Sequence, residues 1–199
     1  MPHEVYSHAY SNDWWGGDMS TENRKIIFTG PVGAGKTTAI RSISDIEIVT
    51  TDEQASDMAK ARKPATTVAM DYGMIKLSEN ERVHLYGTPG QERFNFMWDI
   101  LTEGGIGLVL LIDNSRKDPQ QDLKFYTQAF KKFIEAQQLV VGITRMDTHR
   151  VPNVNDYRQW LDQLKIKAPV FEIDARKRDD VSLLIQAMLM SLAPGAEIL

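Results

Sequence analysis

Residues Gly30-Pro31-Val32-Gly33-Ala34-Gly35-Lys36-Thr37 match G-x-x-x-x-G-K-S/T in full, and this octet decides the fold. It follows Lys25-Ile26-Ile27-Phe28, a β-branched and aromatic run that predicts a strand. It precedes Thr38-Ala39-Ile40-Arg41-Ser42, which is compatible with a helix. Strand, glycine loop and helix are the context in which the motif binds phosphate. The glycines let the backbone turn tightly and aim consecutive N–H groups at phosphate oxygens, and the helix start adds a partial positive charge. Gly30, Val32, Gly33, Ala34, Gly35, Lys36, Thr37 and Thr38 are therefore candidate phosphate-binding residues. Lys36 is expected to reach the β- and γ-phosphates and the Thr37 hydroxyl to ligate Mg²⁺. The octet implies a nucleoside triphosphate site.

Outward from the loop, strands and helices alternate. Strands are expected at 25–29, 67–77, 82–86, 106–113, 138–144 and 169–174, and helices at 36–44, 93–103, 118–136, 154–164 and 180–192. The run from Ile106 to Ile112 is apolar on both faces, as a central parallel strand requires. Only Ser78-Glu79-Asn80-Glu81 separates the second strand from the third, too short for a parallel crossover, so that pair must be a hairpin. The expected architecture is a three-layer α/β fold of the P-loop NTPase kind. Its sheet is six-stranded and mostly parallel, with one antiparallel strand and helices on both faces.

Composition sets the surroundings. Against 27 acidic residues stand 23 lysines and arginines, a formal net charge of −4 without a basic block, which argues against general nucleic-acid binding. The chain has no cysteine, so disulfides, thiolate metal sites and thioether lipid anchors are excluded. Pro2 excludes N-myristoylation, and no apolar run is long enough to span a membrane. No intrinsic membrane anchor and a cytoplasmic location are expected. Residues 1–23 lack apolar periodicity and carry the pair Trp14-Trp15. Two readings stand for them: a flexible leader, or a docking segment whose indoles fill a groove. Residues 24–199 form the expected nucleotide-binding domain.

Four further stretches follow the octet in order. Ala65 to Tyr72 carries Thr66-Thr67; Gly87-Thr88-Pro89-Gly90-Gln91-Glu92-Arg93-Phe94 follows the third strand; Thr144-Arg145-Met146-Asp147 ends the fifth; Asp174-Ala175-Arg176 ends the sixth. Together with the octet they resemble the five nucleotide loops of a Ras-like small GTPase, a resemblance that covers the domain but not residues 1–23. Its subgroup is similar to the bacterial GTPases of the gliding-motility (Mgl) and conservon type, where a T-P-G-Q or V-P-G-Q sequence replaces D-T-A-G-Q.

The resemblance implies GTP/GDP and Mg²⁺ as cofactors and a switch acting on a regulatory protein partner, with a roadblock/longin-type activator or a sensor kinase as candidates. Thr67, or Thr66 beside it, would join Thr37 on the metal and sense the γ-phosphate. The Gly90 N–H would bond that phosphate, and the Gln91 amide would orient the attacking water. Lys36, Thr67 and Gln91 are thus the candidate catalytic residues. Asp147 would accept from guanine N1–H and its 2-amino group, the Arg145 stem would cover the base, and the Ala175–Arg176 loop would meet guanine O6.

Three positions depart from the pattern. Gly87 stands where an aspartate would hold a metal-bound water, which predicts weaker Mg²⁺ binding. Val32 crowds the entry of an arginine finger, which predicts slow turnover. Thr144 replaces an asparagine, so a hydrogen bond toward the base and the phosphate loop is expected to be weakened or lost. Arg62 and Arg93 are the nearest arginines by sequence to the switch stretches. A pseudo-GTPase interaction module and a small-molecule P-loop kinase are the alternative functions.

Overall fold

A computed structural model describes residues 23–50, 70–90 and 96–192. Trp14-Trp15, Arg62, Thr66, Thr67, Gln91, Arg93 and Phe94 lie outside the described residues. In chain order the elements are β1 (Asn23–Thr29), α1 (Lys36–Ile43), β2 (Val49–Thr50), β3 (Asp71–Lys76), β4 (Arg82–Gly87), α2 (Phe96–Thr102), β5 (Gly107–Asp113), α3 (Pro119–Ala129), α4 (Lys131–Ala136), β6 (Gln138–Thr144), α5 (Val154–Gln163), β7 (Val170–Glu172) and α6 (Arg178–Leu192).

The sheet has seven strands in the order β2-β3-β4-β1-β5-β6-β7. Strand β3 runs antiparallel to both neighbours, and every other described pairing is parallel. The α/β architecture is thus as the sequence predicts, with one strand more. The addition is Val49–Thr50, a two-residue edge strand too short to carry an alternation pattern. The single helix expected over 118–136 divides at Phe130, whose backbone turns to φ −96°, ψ 17° while its ring stacks on Trp98 at 4.9 Å. No helix among the described residues is long and apolar enough to cross a membrane.

Two apolar layers hold the helices to the sheet. All seven residues of β5 are buried, and the two-residue side-chain period splits them. Val109 and Leu111 join Ile40, Leu184 and Met188 beneath α1 and α6. Leu108, Leu110 and Ile112 join Trp98, Leu123, Tyr126 and Phe130 beneath α2 to α4. The helix starts are chemically marked. The Asp118 carboxylate accepts from Gln121 N–H with Pro119 in the first turn of α3, and Asn153 and Asp156 form a reciprocal capping box at α5. This packing places the loop after β1 at the carboxyl ends of the parallel strands. The sheet grows in both directions from β1, and open α/β sheets bind ligands at such a point.

Candidate nucleotide site

Gly30, Gly33 and Gly35 have φ values of 137°, 85° and 95°, the left-handed and extended-positive backbone that side chains resist. At Gly30 space forbids a side chain as well, because a Cβ would lie 2.1 Å from the Leu111 carbonyl oxygen. The loop is therefore laid directly on β5. Lys36 opens α1 and turns inward; its Nζ donates to the Gly30 and Pro31 carbonyls, each at 2.8 Å. Only 9% of Lys36 is exposed. Burial lowers its pKa to about 8, against the opposing pull of the Asp71 carboxylate. The Thr37 hydroxyl donates to Asp71 Oδ2 at 2.6 Å.

The segment after β4 closes on this loop. Thr88 N–H donates to the Phe28 carbonyl at 2.8 Å, and its hydroxyl donates to the Thr29 hydroxyl at 2.9 Å. Trp98 Nε1 donates to the Pro89 carbonyl at 3.2 Å, and the Tyr126 hydroxyl donates to the Gly90 carbonyl at 3.0 Å. So held, Gly90 sits against the phosphate loop: a Cβ there would be 2.7 Å from Lys36 Nζ and 2.8 Å from Val32 N. Trp98 is core, packed against Phe125, Tyr126 and Phe130, and does not form a free surface. Val32 stands at the mouth, 58% exposed.

Beside the loop opens a cleft of about 470 Å³ that gathers the sequence-predicted Gly33, Ala34, Gly35, Thr38, Thr144, Arg145, Asp147, Ala175 and Arg176. Thr144 corrects an expectation in part. Its hydroxyl lies 3.2 Å from the Ala34 carbonyl and 3.3 Å from the Ile112 carbonyl, so threonine keeps a link to the phosphate loop despite its shorter side chain. Arg145 has φ 63°, pairs through Nε with Asp113 at 3.1 Å and extends NH2 toward the Gly33 carbonyl at 3.5 Å. Asp147 is mostly exposed, with its carboxylate 3.9 Å from the Arg176 guanidinium. Arg176 also pairs with Asp174 at 2.7 Å and holds that carboxyl down at about pKa 2. Ala175 packs below, where a Cβ at Gly35 would meet its methyl at 3.0 Å.

The positions of these loops depend on residues that carry no motif. Asn114 is buried at the end of β5; its amide donates to the His149 and Pro152 carbonyls, and its oxygen accepts from the Tyr157 hydroxyl at 2.7 Å. It ties the stretch after Asp147 to α5. Asp71 is the other residue that motif reading passes over. A hairpin symmetric about Ser78–Glu81 would set position 71 opposite 88, whereas the observed register sets Asp71 opposite Gly87, one residue away. A second cavity, about 560 Å³ between α3, α4 and residues 164–167, shares no lining residue with the phosphate loop or the base loops.

The model of a family described as a conserved hypothetical ATP-binding protein matches residues 46–193. The chain belongs to this family. An uncharacterized protein of Methanocaldococcus jannaschii is 26% identical over 125 residues, covering 63% of this chain and 70% of its own length. Membership corrects the Ras-like assignment and its gliding-motility and conservon subgroup, because the matched family is the ATP-binding one. The physical reason is that phosphate loop, hairpin and base-side loops occur in that order wherever this sheet is built. The positions that would have distinguished the Ras pattern, Gly87 and Thr144, are the ones that depart from it. The match begins beyond the phosphate loop, so the octet at 30–37 is a separate indication of nucleotide binding in this family member.

Among the described residues no group of three or more His, Cys, Asp or Glu side chains could hold a metal alone. A cation at this site would draw on phosphate oxygens as co-ligands. The Thr37 hydroxyl and the Asp71 carboxylate are hard oxygen donors of the kind that suits Mg²⁺.

Proposed function

We propose that this protein binds a nucleoside triphosphate with Mg²⁺, hydrolyses it slowly, and uses the segment from Gly87 onward as a nucleotide-dependent switch toward a protein partner. The observation that carries the reading is the convergence of Lys36 Nζ, Val32 N and Gly90 at one point of the glycine loop. Lys36 donates to loop carbonyls here, and an anionic phosphate is a stronger acceptor for the same ammonium. A phosphate in that place requires Gly90 to shift, which couples occupancy to the strand–α2 connection. Bound Mg²⁺ would neutralise phosphate charge; the chain's own contribution is to orient and desolvate the phosphates. Gln91, beside Gly90 in sequence, is proposed to orient the attacking water.

For the base we propose guanine, read by Asp147. A carboxylate accepts from two adjacent donors, which guanine presents and adenine lacks. Arg176, 3.9 Å away, would orient that carboxylate. The test is single-turnover phosphate release by wild type and Gln91→Leu. The expected result is near-equal affinity and at least about tenfold slower release for the variant, or about 1.4 kcal/mol in the barrier. Equal rates would remove Gln91 from the mechanism.

A further inference from the structure

We infer that Asp71, on the antiparallel strand β3, supplies the carboxylate side of the Mg²⁺ site and does so across the hairpin in place of a side chain at position 87. The inference rests on the proposed Mg²⁺–nucleotide reading.

Three observations carry it. Asp71 is the first residue of β3 and pairs in register with Gly87, the last residue of β4, at the end of the sheet where the phosphate loop lies. The space a side chain at 87 would use belongs to Asp71, since a Cβ on Gly87 would lie 3.0 Å from Asp71 Oδ2 and 3.1 Å from its Cβ. The same Oδ2 accepts the Thr37 hydroxyl at 2.6 Å. Thr37 is the residue whose hydroxyl the motif assigns to the metal. A carboxylate already bonded to that hydroxyl is within one ligand's width of a cation held there. Mg²⁺ sites of this type take one or two carboxylates, directly or through bound water, beside phosphate oxygens.

The geometry also accounts for the glycine. With a carboxylate arriving from β3, a second at position 87 would place two like charges in contact. Glycine at 87 is what admits Asp71. The weaker Mg²⁺ binding expected from Gly87 alone is then offset by the neighbouring strand.

The discriminating experiment measures affinity for a fluorescent guanine nucleotide, the base assigned above, across a Mg²⁺ titration with an EDTA baseline. A parallel Mn²⁺ titration is followed by electron paramagnetic resonance. Wild type, Asp71→Asn, Gly87→Asp and the swap Asp71→Gly with Gly87→Asp are compared, each checked for its thermal transition. Asp71→Asn should raise the Mg²⁺ half-saturation at least about tenfold, as loss of a metal-supporting group does, with the EDTA baseline within about threefold of wild type. The swap should return the half-saturation to within about threefold, because the two nearest atoms to a Cβ at 87 belong to Asp71 and the third is the movable end of the Ile40 side chain. An unchanged half-saturation in Asp71→Asn, or a swap no better than the single substitution, overturns the assignment. If Asp71→Asn does not fold, the swap alone decides. Wild-type binding that ignores Mg²⁺ at every concentration overturns the nucleotide–metal reading beneath it and the assignment with it.

Discussion

The two ends of the site are built by different physics. At the phosphate end, Lys36 is 9% exposed, fixed by two carbonyls and pressed by Gly90, and the loop's shape is set by backbone. At the base end, the side chains of Asp147, Arg145 and Arg176 are 66%, 55% and 73% exposed and are held by ion pairs with one another and with Asp113 and Asp174. Buried contacts of the first kind strengthen in low dielectric and are costly to break, whereas exposed pairs contribute little until a ligand covers them. On the proposed reading the phosphate end, preformed except where Gly90 must shift, provides affinity, and the base end provides selectivity only when the base arrives.

The largest expected effect is at the preformed end. Lys36→Ala removes a charge-assisted contact and should weaken triphosphate binding at least about thirtyfold, or about 2 kcal/mol, by equilibrium titration. A variant with wild-type affinity would dissolve the contrast between the two ends.

Asp147→Asn comes next and sharpens the comparison. One acceptor becomes a donor, so preference should move from GTP toward XTP by about tenfold or more, with phosphate contacts intact. Competition among GTP, XTP and ATP reads this directly. No change would make Asp147 a surface residue paired to Arg176 and nothing else.

A third prediction uses the burial of Lys36 in the free protein. Its folded pKa, about 8, lies below the ordinary lysine value of 10.5, chiefly through desolvation. The unfolded chain then binds more protons than the folded one between these two values, so this group makes stability rise with pH from about 8 to about 10.5. Below that window the charged lysine costs the free protein on the order of 3 kcal/mol. Lys36→Met should remove that rise and stabilise the nucleotide-free protein at pH 7, while abolishing phosphate affinity. Chemical denaturation of both proteins at pH 7 and 9.5 checks the sign.

The smallest effect lies at the seam. Thr144→Val deletes the hydroxyl near the Ala34 carbonyl and should cost about 1 kcal/mol, seen as a modest fall in thermal midpoint and a few-fold loss of affinity. An effect as large as that of Lys36→Ala would mean the two ends are not separable.

The same division explains what could be read in the sequence. The octet, the apolar run at β5 and the short hairpin loop are local patterns with physical causes, and their elements lie within a few residues of expectation. Val49–Thr50 was not legible because two residues have no period, and it pairs only because β3 is present. Asp71 looked like one polar residue in a strand; its role depends on register with Gly87, a relation between two strands. By analogy Thr144 implies a weakened or lost bond, yet the short distance to Ala34 lets a hydroxyl suffice. The family was misassigned because fold-general motifs were given family weight, while the match covers residues 46–193.

The central claim is that a Mg²⁺-bound nucleoside triphosphate occupies the Lys36 end and is selected at the Asp147 end. Titration of nucleotide-free protein with GTP and with ATP, each with and without Mg²⁺, tests it most directly. The account predicts binding that Mg²⁺ tightens, with GTP favoured over ATP at least about tenfold, or about 1.4 kcal/mol. Equal or tighter binding of ATP would contradict the base assignment, and no Mg²⁺-dependent binding of either nucleotide would contradict the account as a whole.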